Sequence, residues 1–231
     1  MSKHILFILT SHATLGSSGR KTGSWLEELA AVYNRLTDAG HRVTFASPAG
    51  GAAPIDPMSL EDTWVTPDGQ RFLANAAAQQ QVAGTVKLSD VDIDQYDGLF
   101  LVGGTGTVWD FPHDADLKRY VESLYVRNAV LAGICHGVIG LAFAIDHAGQ
   151  PILRGRKATC ISNAEDDAAG LIRLVPVLPE DMLRKMRAFY SAAAPFRAHT
   201  VVDGQFFTGQ NPASAAPLGD ALVEHFASVP A

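Results

Sequence analysis

The sequence alternates short apolar runs with amphipathic segments, and this pattern is the first indication of its fold. The apolar runs, several of them bounded by Gly or Pro, predict buried parallel strands at Ile5–Leu9, His41–Ser47, Gly98–Val102 and Ala129–Ile134. The segments with helical periodicity are Trp25–Ala39, Asp116–Arg127 and Val138–Ile145. Strands that alternate with helices are typical of an α/β fold, and we expect a doubly wound, mostly parallel sheet flanked by helices.

Two segments depart from this alternation. The Gly-, Ala- and Pro-rich stretch Pro48–Pro57 predicts a surface loop. Asp68–Gly84 is rich in Ala and Gln, and it indicates either a helical excursion or a lid. We find no internal repeat and no linker, so the sequence predicts one domain over residues 1–231.

Composition and charge limit the kinds of molecule that we expect this protein to bind. The chain of 231 residues is 47% hydrophobic, carries a formal net charge of −6 and has scattered basic residues, which argues against nucleic acid as a partner. The apolar run near the N-terminus is too short for a signal peptide or a membrane span. Two cysteines, Cys135 and Cys160, do not make a disulfide framework, so we expect a soluble protein of the reducing cytoplasm.

A candidate nucleophile stands in the segment Gly-Ile-Cys-His-Gly at residues 133–137. Glycines on both sides of Cys135 permit a strained strand-to-helix turn, a nucleophile elbow that presents one side chain at the carboxyl end of the sheet. A helix that begins there favours the thiolate. The alternative is a packed core cysteine, which is the interpretation we give to Cys160, expected within a strand.

The surroundings of Cys135 offer partners for a thiol. The imidazole of His136 is a candidate base, and its backbone N–H is a candidate oxyanion donor. A glycine cluster that begins at Gly103 and Gly104 follows a predicted strand and offers a second donor, although it also fits a simple turn or a phosphate-binding loop. No Gly-Lys-Ser/Thr follows the cluster and no histidine pair has metal-ligand spacing, so we predict neither a nucleotide cofactor nor a metal.

Carboxylates near the first helix and after the Cys160 segment are candidate acids. On a helical wheel Glu28 lies at the edge of the apolar stripe and Glu27 lies opposite, so Glu28 is expected to have a raised pKa and Glu27 to be solvated. A water-bound boundary glutamate is the alternative for Glu28. The acidic cluster that contains Glu165 and Asp166 either orients His136 or forms a solvated loop.

These residues and several longer motifs together resemble the PfpI superfamily, the class I glutamine amidotransferase-like proteins. The resemblance extends over nearly the whole chain and is closest to the heat-shock-type chaperones and glutathione-independent glyoxalases of the glyoxalase III branch. The motifs that carry it are Leu9-Thr10-Ser11-His12, Lys21-Thr22-Gly23, Trp25-Leu26-Glu27-Glu28-Leu29, Ala46-Ser47-Pro48-Ala49-Gly50-Gly51, Gly103-Gly104-Thr105-Gly106-Thr107-Val108-Trp109-Asp110, Ile134-Cys135-His136-Gly137 and Thr208-Gly209-Gln210-Asn211-Pro212-Ala213-Ser214.

The resemblance implies a flavodoxin-like fold and a set of site residues. The implied catalytic residues are Cys135, His136, Glu28 and Asp166, with Glu165 as the competitor of Asp166. The implied substrate and oxyanion site is Gly103, Gly104, Thr105 and Trp109. Thr105 stands where close relatives carry His, which bears on the choice of substrate. The resemblance also implies a homodimer.

Three functions follow as hypotheses. The first is a cofactor-free glyoxalase that converts the small dicarbonyl methylglyoxal to lactate through the Cys135 thiol. The second is a stress chaperone for misfolded client proteins, or a thiol sensor, with little turnover. The third is a cysteine amidase or peptidase, for which no partner synthase domain is present.

Overall fold

A seven-stranded sheet forms the centre of this computed structural model, which describes residues 2–228. The strands are β1 (His4–Ile8), β2 (Arg42–Ser47), β3 (Val86–Lys87), β4 (Gly98–Leu101), β5 (Val130–Ile134), β6 (Lys157–Ala158), β7 (Phe189–Tyr190), β8 (Thr200–Asp203) and β9 (Phe206–Gly209). Their order in the sheet is β3-β2-β1-β4-β5-β9-β8, and β6 pairs with β7 separately. All pairs are parallel except β8 with β9, so the predicted mostly parallel α/β sheet is confirmed.

Helices cover both faces of this sheet. They are α1 (Leu26–Asp38), α2 (Pro67–Ala74), α3 (Ala76–Ala83), α4 (Thr107–Asp110), α5 (Ala115–Val126), α6 (Ile139–Ala142), α7 (Asn163–Ala168), α8 (Pro179–Lys185) and α9 (Ala215–Ser228). On one face α1 packs against α9 and α2, and on the other α6 packs against α5 and α8. Within residues 2–228, no helix has the length and hydropathy needed to cross a membrane.

The alternation of side chains along the strands produces two separate hydrophobic cores. In β1 and the residue after it, Ile5, Phe7 and Leu9 enter one core while Leu6 and Ile8 enter the other. Successive side chains of a strand point to opposite faces, so a strand buried on both faces is apolar at every position. This explains why the central strands appear in the sequence as continuous apolar runs.

The first helix ends where the sequence predicts. Gly40 adopts a left-handed conformation with φ 82°, and the N–H of His41 donates to the carbonyl of Leu36, which satisfies the last turn of α1. The chain can then reverse directly into β2. The face that α1 buries against the sheet includes Glu28, a candidate site residue.

Some elements differ from the prediction. The predicted helix 138–145 is shorter: a single 3₁₀ turn, Cys135–Val138, precedes the four-residue α6. Cys160 is fully buried but lies beyond β6 rather than in a strand. The stretch 68–84 forms α2 and α3, which is the helical alternative. The two-residue strands β6 and β7 and the antiparallel edge strand β8 were not predicted.

The order of the strands creates a crevice at the carboxyl end of the sheet. From β1 the chain continues to β2 on one side, and from β4 it continues to β5 on the other. Loops that leave neighbouring strands in opposite directions open a crevice at that switch point, where α/β proteins bind ligands. The glycine cluster follows β4 and the Cys135 turn follows β5, so both candidate motifs lie at this edge.

Candidate active site

Cys135 occupies a strained turn directly after β5. Its φ is 56°, in the left-handed region that costs a non-glycine residue about 1–3 kcal/mol. The turn packs closely against the end of β4, because a Cβ at Gly137 would lie 2.6 Å from the carbonyl oxygens of Leu101 and Val102. The predicted nucleophile elbow is therefore present, and only glycine fits at position 137.

His136 lies between the thiol and a carboxylate. Its Nδ1 is 3.3 Å from the Sγ of Cys135, and its Nε2 is 2.9 Å from Oδ1 of Asp166 at the start of α7. All three side chains are buried. The arrangement has the connectivity of a nucleophile, a base and an orienting acid.

The structure brings Asp166 to His136, whereas the neighbouring Glu165 makes a different set of contacts. Both oxygens of Glu165 accept hydrogen bonds from neutral donors, which are the N–H and hydroxyl of Ser162, the N–H of Phe196, and the side-chain amides of Gln210 and Asn211. Glu165 thus ties together the N-terminus of α7, the loop before β8 and the residues after β9.

Glu28 reaches the thiol from the opposite side, out of the first turn of α1. It is fully buried, and a Cβ added at Gly103 would lie 2.0 Å from its Oε2. Among residues 2–228, neither carboxyl oxygen has a hydrogen-bond partner of ordinary geometry. Burial raises the pKa of Glu28 to about 8, and the interaction with Cys135 opposes that rise. Glu28 therefore carries a proton at neutral pH, in agreement with the raised pKa expected from the helical wheel.

The thiol of Cys135 is also neutral at rest. Burial raises its pKa well above the ordinary value, the charge of Glu28 raises it further when that group is ionised, and the backbone N–H of His136 opposes the rise. The 3₁₀ turn that starts at Cys135 has four residues, and its partial positive charge does not offset the burial. Burial therefore opposes the thiolate that a helix N-terminus favours, and a base such as His136 is placed to take the thiol proton.

Two further expectations do not fit the geometry. Glu27 is half-buried rather than solvated, accepts a hydrogen bond from the hydroxyl of Thr66, and has a pKa raised by burial. Trp109 does not line the cavity beside Cys135. Its ring stacks on His12 with centroids 4.8 Å apart, because the short α4 turns it away from the crevice.

A cavity of about 370 Å³ opens beside Cys135. Gly104, Thr105 and His136 line it next to the thiol, so the backbone N–H groups of Gly104 and His136, both predicted oxyanion donors, lie at its wall. Gly103, predicted with them, is not among the residues that line the cavity. The other lining residues are Arg20, Trp25, Glu28, Met58, Trp64, Cys135, Ile161, Glu165, Asp166, Ala168, Ala169, Leu171, Phe196, Asn211, Pro212 and Ala213. The sequence did not predict Met58, Trp64 or Phe196, because they carry no local motif. Met58 and Trp64 lie in the connection between β2 and α2, and Phe196 lies in the loop before β8.

The backbone around the glycine cluster is closely packed. Gly104 has φ 115°, and a Cβ there would lie 2.2 Å from the carbonyl oxygen of Gly23. The carbonyl of Gly103 accepts a 3.0 Å hydrogen bond from the N–H of Trp25 at the start of α1. The cluster therefore docks the first turn of α1 against the end of β4. In the part of the chain that the structure describes, no group of three or more His, Cys, Asp or Glu side chains is placed to hold a metal ion.

The chain is similar in sequence and in fold to known proteins. Glyoxalase 3 of Candida albicans is 26% identical over 98% of this chain and 99% of its own length, and glutathione-independent glyoxalase HSP31 of Saccharomyces cerevisiae is 27% identical over 92% and 93%. Among solved structures, rapid encystment protein 24 kDa of Francisella tularensis has a TM-score of 0.92 at 36% identity, covering 96% of this chain and 98% of its own. Glyoxalase III from C. albicans has a TM-score of 0.88 at 25% identity, covering 96% of each.

The predicted resemblance to the glyoxalase III branch of the PfpI superfamily is thus confirmed by relatives that match over nearly their full length. The family model named DJ-1/PfpI matches residues 22–225, which include the first helix, the glycine cluster, the nucleophile turn and α7. The chain belongs to the DJ-1/PfpI family.

Proposed function

We propose that this protein is a cysteine-dependent, glutathione-independent glyoxalase that converts methylglyoxal and water to lactate in defence against carbonyl stress. The names of its relatives in C. albicans and S. cerevisiae support a 2-oxoaldehyde as substrate. The reaction moves hydrogen within the substrate and adds water, so it needs neither a redox cofactor nor glutathione.

The fully buried carboxyl of Glu28 beside the thiol is the observation that carries this proposal. A Cys-His-Asp set alone suits hydrolysis of an amide, in which a second buried carboxyl beside the thiol has no necessary part. Isomerisation of a 2-oxoaldehyde, in contrast, needs a group that takes a proton from one carbon and returns it to the next. Glu28 has a pKa of about 8 and contacts Cys135, and these properties suit that task.

Attack by the thiol begins the reaction. Cys135 Sγ bonds to the aldehyde carbon while the thiol proton passes to Nδ1 of His136, and Asp166 stabilises the resulting imidazolium through Nε2. The aldehyde oxygen becomes an oxyanion, to which the backbone N–H groups of Gly104 and His136 donate. The imidazolium then returns the proton to that oxygen, which gives a neutral hemithioacetal.

Proton transfer between the two carbons follows. The fraction of Glu28 that is ionised near neutral pH removes the proton from the carbon bonded to sulfur, which gives an enediolate, and then delivers that proton to the neighbouring carbon. The hydroxyl proton on the carbon bonded to sulfur passes to the oxygen of the neighbouring carbon, so that the first carbon becomes a carbonyl and the second a secondary alcohol. The product is a thioester of the 2-hydroxy acid. Water activated by His136 cleaves the C–S bond, so that lactate leaves and Cys135 regains its thiol proton.

Turnover of methylglyoxal without glutathione and in the presence of a chelator tests this function. Cys135→Ala should abolish lactate formation, and Glu28→Gln should reduce it at least about 100-fold, because each removes a group from a bond-making step. Cys160→Ala is the matched control, since that cysteine is buried outside the cavity, and it should retain activity. Unchanged lactate formation by Cys135→Ala would overturn the proposal.

Other expectations from the sequence stay predictions. The family resemblance implies a homodimer and binding of misfolded client proteins, and the cysteine usage and the absence of a linker predict a cytoplasmic location and one domain over the whole chain. Suppression of client aggregation by Cys135→Ala would separate chaperoning from chemistry, and assays of glutamine and peptide hydrolysis would test the amidase alternative.

A further inference from the structure

The cavity beside Cys135 is larger than methylglyoxal requires. Methylglyoxal has five non-hydrogen atoms, and at the roughly 30 Å³ that one water molecule occupies in the liquid it fills about 150 Å³. The cavity measures about 370 Å³. More than half of it therefore lies beyond the reacting carbons of so small a substrate.

Aromatic side chains line the outer part of this space. Trp64 and Phe196 keep 45% and 56% of their surface exposed, and both face the cavity together with the half-buried Trp25. The rings of Trp25 and Trp64 meet edge to face with centroids 5.5 Å apart. Apolar rings left exposed at the wall of a concave site gain free energy when an apolar or aromatic group of a ligand covers them.

The position of Phe196 is enforced by the fold. Its φ is 62°, a left-handed conformation that glycine adopts more easily, yet the residue there is a large aromatic one. Its N–H donates to Oε1 of the buried Glu165 at 2.8 Å, and the amide of Asn211 bonds both that same oxygen and the carbonyl of Arg197. These bonds fix the backbone that carries the ring at the wall of the cavity.

We propose that the site takes 2-oxoaldehydes that carry an aromatic substituent, and that Trp64 and Phe196 determine this specificity. This inference rests on the proposed glyoxalase function. The aldehyde carbon meets Cys135, and the aryl group occupies the space between the two aromatic walls. An aryl glyoxal of this kind, phenylglyoxal, is converted to mandelate by the same steps that convert methylglyoxal to lactate.

The test compares kcat/KM for phenylglyoxal and methylglyoxal in wild type, Trp64→Ala and Phe196→Gly. The intrinsic reactivities of the two aldehydes cancel when the ratio of the two values is compared between variants. We expect the ratio to fall about tenfold in each variant, since each removes one wall of the aryl site. Glycine suits the left-handed backbone at position 196, so the loop is retained. Phe189→Ala, a 66% exposed phenylalanine outside the cavity, should keep the wild-type ratio.

A ratio that stays within twofold of wild type in both cavity variants, with methylglyoxal still turned over, would overturn the inference and leave the proposed function standing. If neither aldehyde is turned over, the proposed function fails, and binding then decides the inference separately. Titration of Cys135→Ala with mandelate and lactate should show at least tenfold tighter binding of mandelate, and equal affinities would overturn it.

Discussion

A Cβ built on Gly103 would lie 2.0 Å from Glu28 Oε2, 2.6 Å from the carbonyl oxygen of Ile134 and 2.8 Å from the Cβ of Cys135. Contacts this short force neighbours apart, and all three are buried in the candidate site. We expect Gly103→Ala to reduce methylglyoxal turnover at least about 100-fold, because a displacement near 1 Å in a reacting group costs that much.

The control for this substitution is Gly84→Ala. A Cβ at Gly84 meets its nearest neighbour at 3.6 Å, an ordinary contact, and φ there is −142°. Its activity should equal that of wild type. Circular dichroism of both variants shows whether the fold is retained, and full activity in a folded Gly103→Ala protein would contradict the geometry described for the site.

The site residues that could be predicted from the sequence are those marked by a pattern in neighbouring residues. Flanking glycines marked Cys135, and the helical wheel alone put Glu28 at the buried edge of its helix. Asp166 was distinguished from Glu165 only through the family resemblance, because a one-residue difference in α7 decides which carboxyl reaches His136. Phe196 and Trp64 were missed, since their place at the cavity depends on loops far apart in the sequence.

At the level of elements, α7 is joined to the rest of the site by Glu165. The side chain closes a capping box with Ser162 at the start of α7 and also holds Gln210 and Asn211 beyond β9. Its five donors are all hydrogens of neutral groups, so a carboxylate is the one side chain that accepts from each. In a glutamine at this position the NH₂ group would take the place of one carboxylate oxygen. The donors that bond to that oxygen would then face another donor and lose their acceptor.

Glu165→Gln should therefore destabilise the protein by about 2–4 kcal/mol, as expected when a buried, fully bonded polar network is broken. Denaturant unfolding measures this change. Asp167→Asn, an exposed carboxyl on the same helix, is the matched control and should shift the free energy of unfolding by less than about 0.5 kcal/mol. Equal stability of Glu165→Gln and wild type would show that the network does not support the fold.

The elements themselves were predicted in proportion to their length. The four central strands and α1 stood out because many residues follow one period. The pair β6 and β7 has two residues in each strand, too few for any periodicity, and it is stabilised by its position over the sheet. The predicted helix after Cys135 is short because the close packing at Gly137 begins it as a 3₁₀ turn rather than an α-helix.

At the scale of the whole molecule, the order of the strands assembles the site. Glu28 enters from the helix after β1, the glycine cluster follows β4, Cys135 follows β5 and Asp166 follows β6, so four connections converge at one edge of the sheet. Sequence pattern predicted a parallel sheet, but the convergence depends on the order β2-β1-β4-β5, which no local pattern encodes. The family resemblance implied a flavodoxin-like fold, and the structure supplies the order.

Because acidic side chains are buried in this fold, its stability depends on pH. Burial raises the pKa of Glu28 to about 8 and that of Asp110 to about 6. Between their ordinary values near 4 and these raised values, the folded protein holds protons that the unfolded chain has lost, so stability falls as pH rises. Burial lowers the pKa of three histidines, His4, His41 and His225, and these have the opposite effect. Below about pH 6.5 the unfolded chain binds protons on them more readily than the folded protein does, so stability falls as pH falls.

The two effects oppose each other near pH 6.5, and well above that pH the titration of Glu28 remains. Between pH 6 and pH 8 the Glu28 carboxyl is protonated in the folded protein and ionised in the unfolded chain. This difference lowers the free energy of unfolding by on the order of 2 kcal/mol over the range, and the contribution of Glu28 alone should lower Tm by about 5 °C. Glu28→Gln cannot titrate and should remove most of this decrease, whereas Asp110→Asn should retain most of it, because Asp110 is already half ionised at pH 6 and changes little above pH 7. Thermal melts of the three proteins at pH 6, 7 and 8 measure the difference. The histidines contribute equally to wild type and Glu28→Gln, so a change in Tm over this range that is the same in both proteins would mean that Glu28 is ionised in the folded protein.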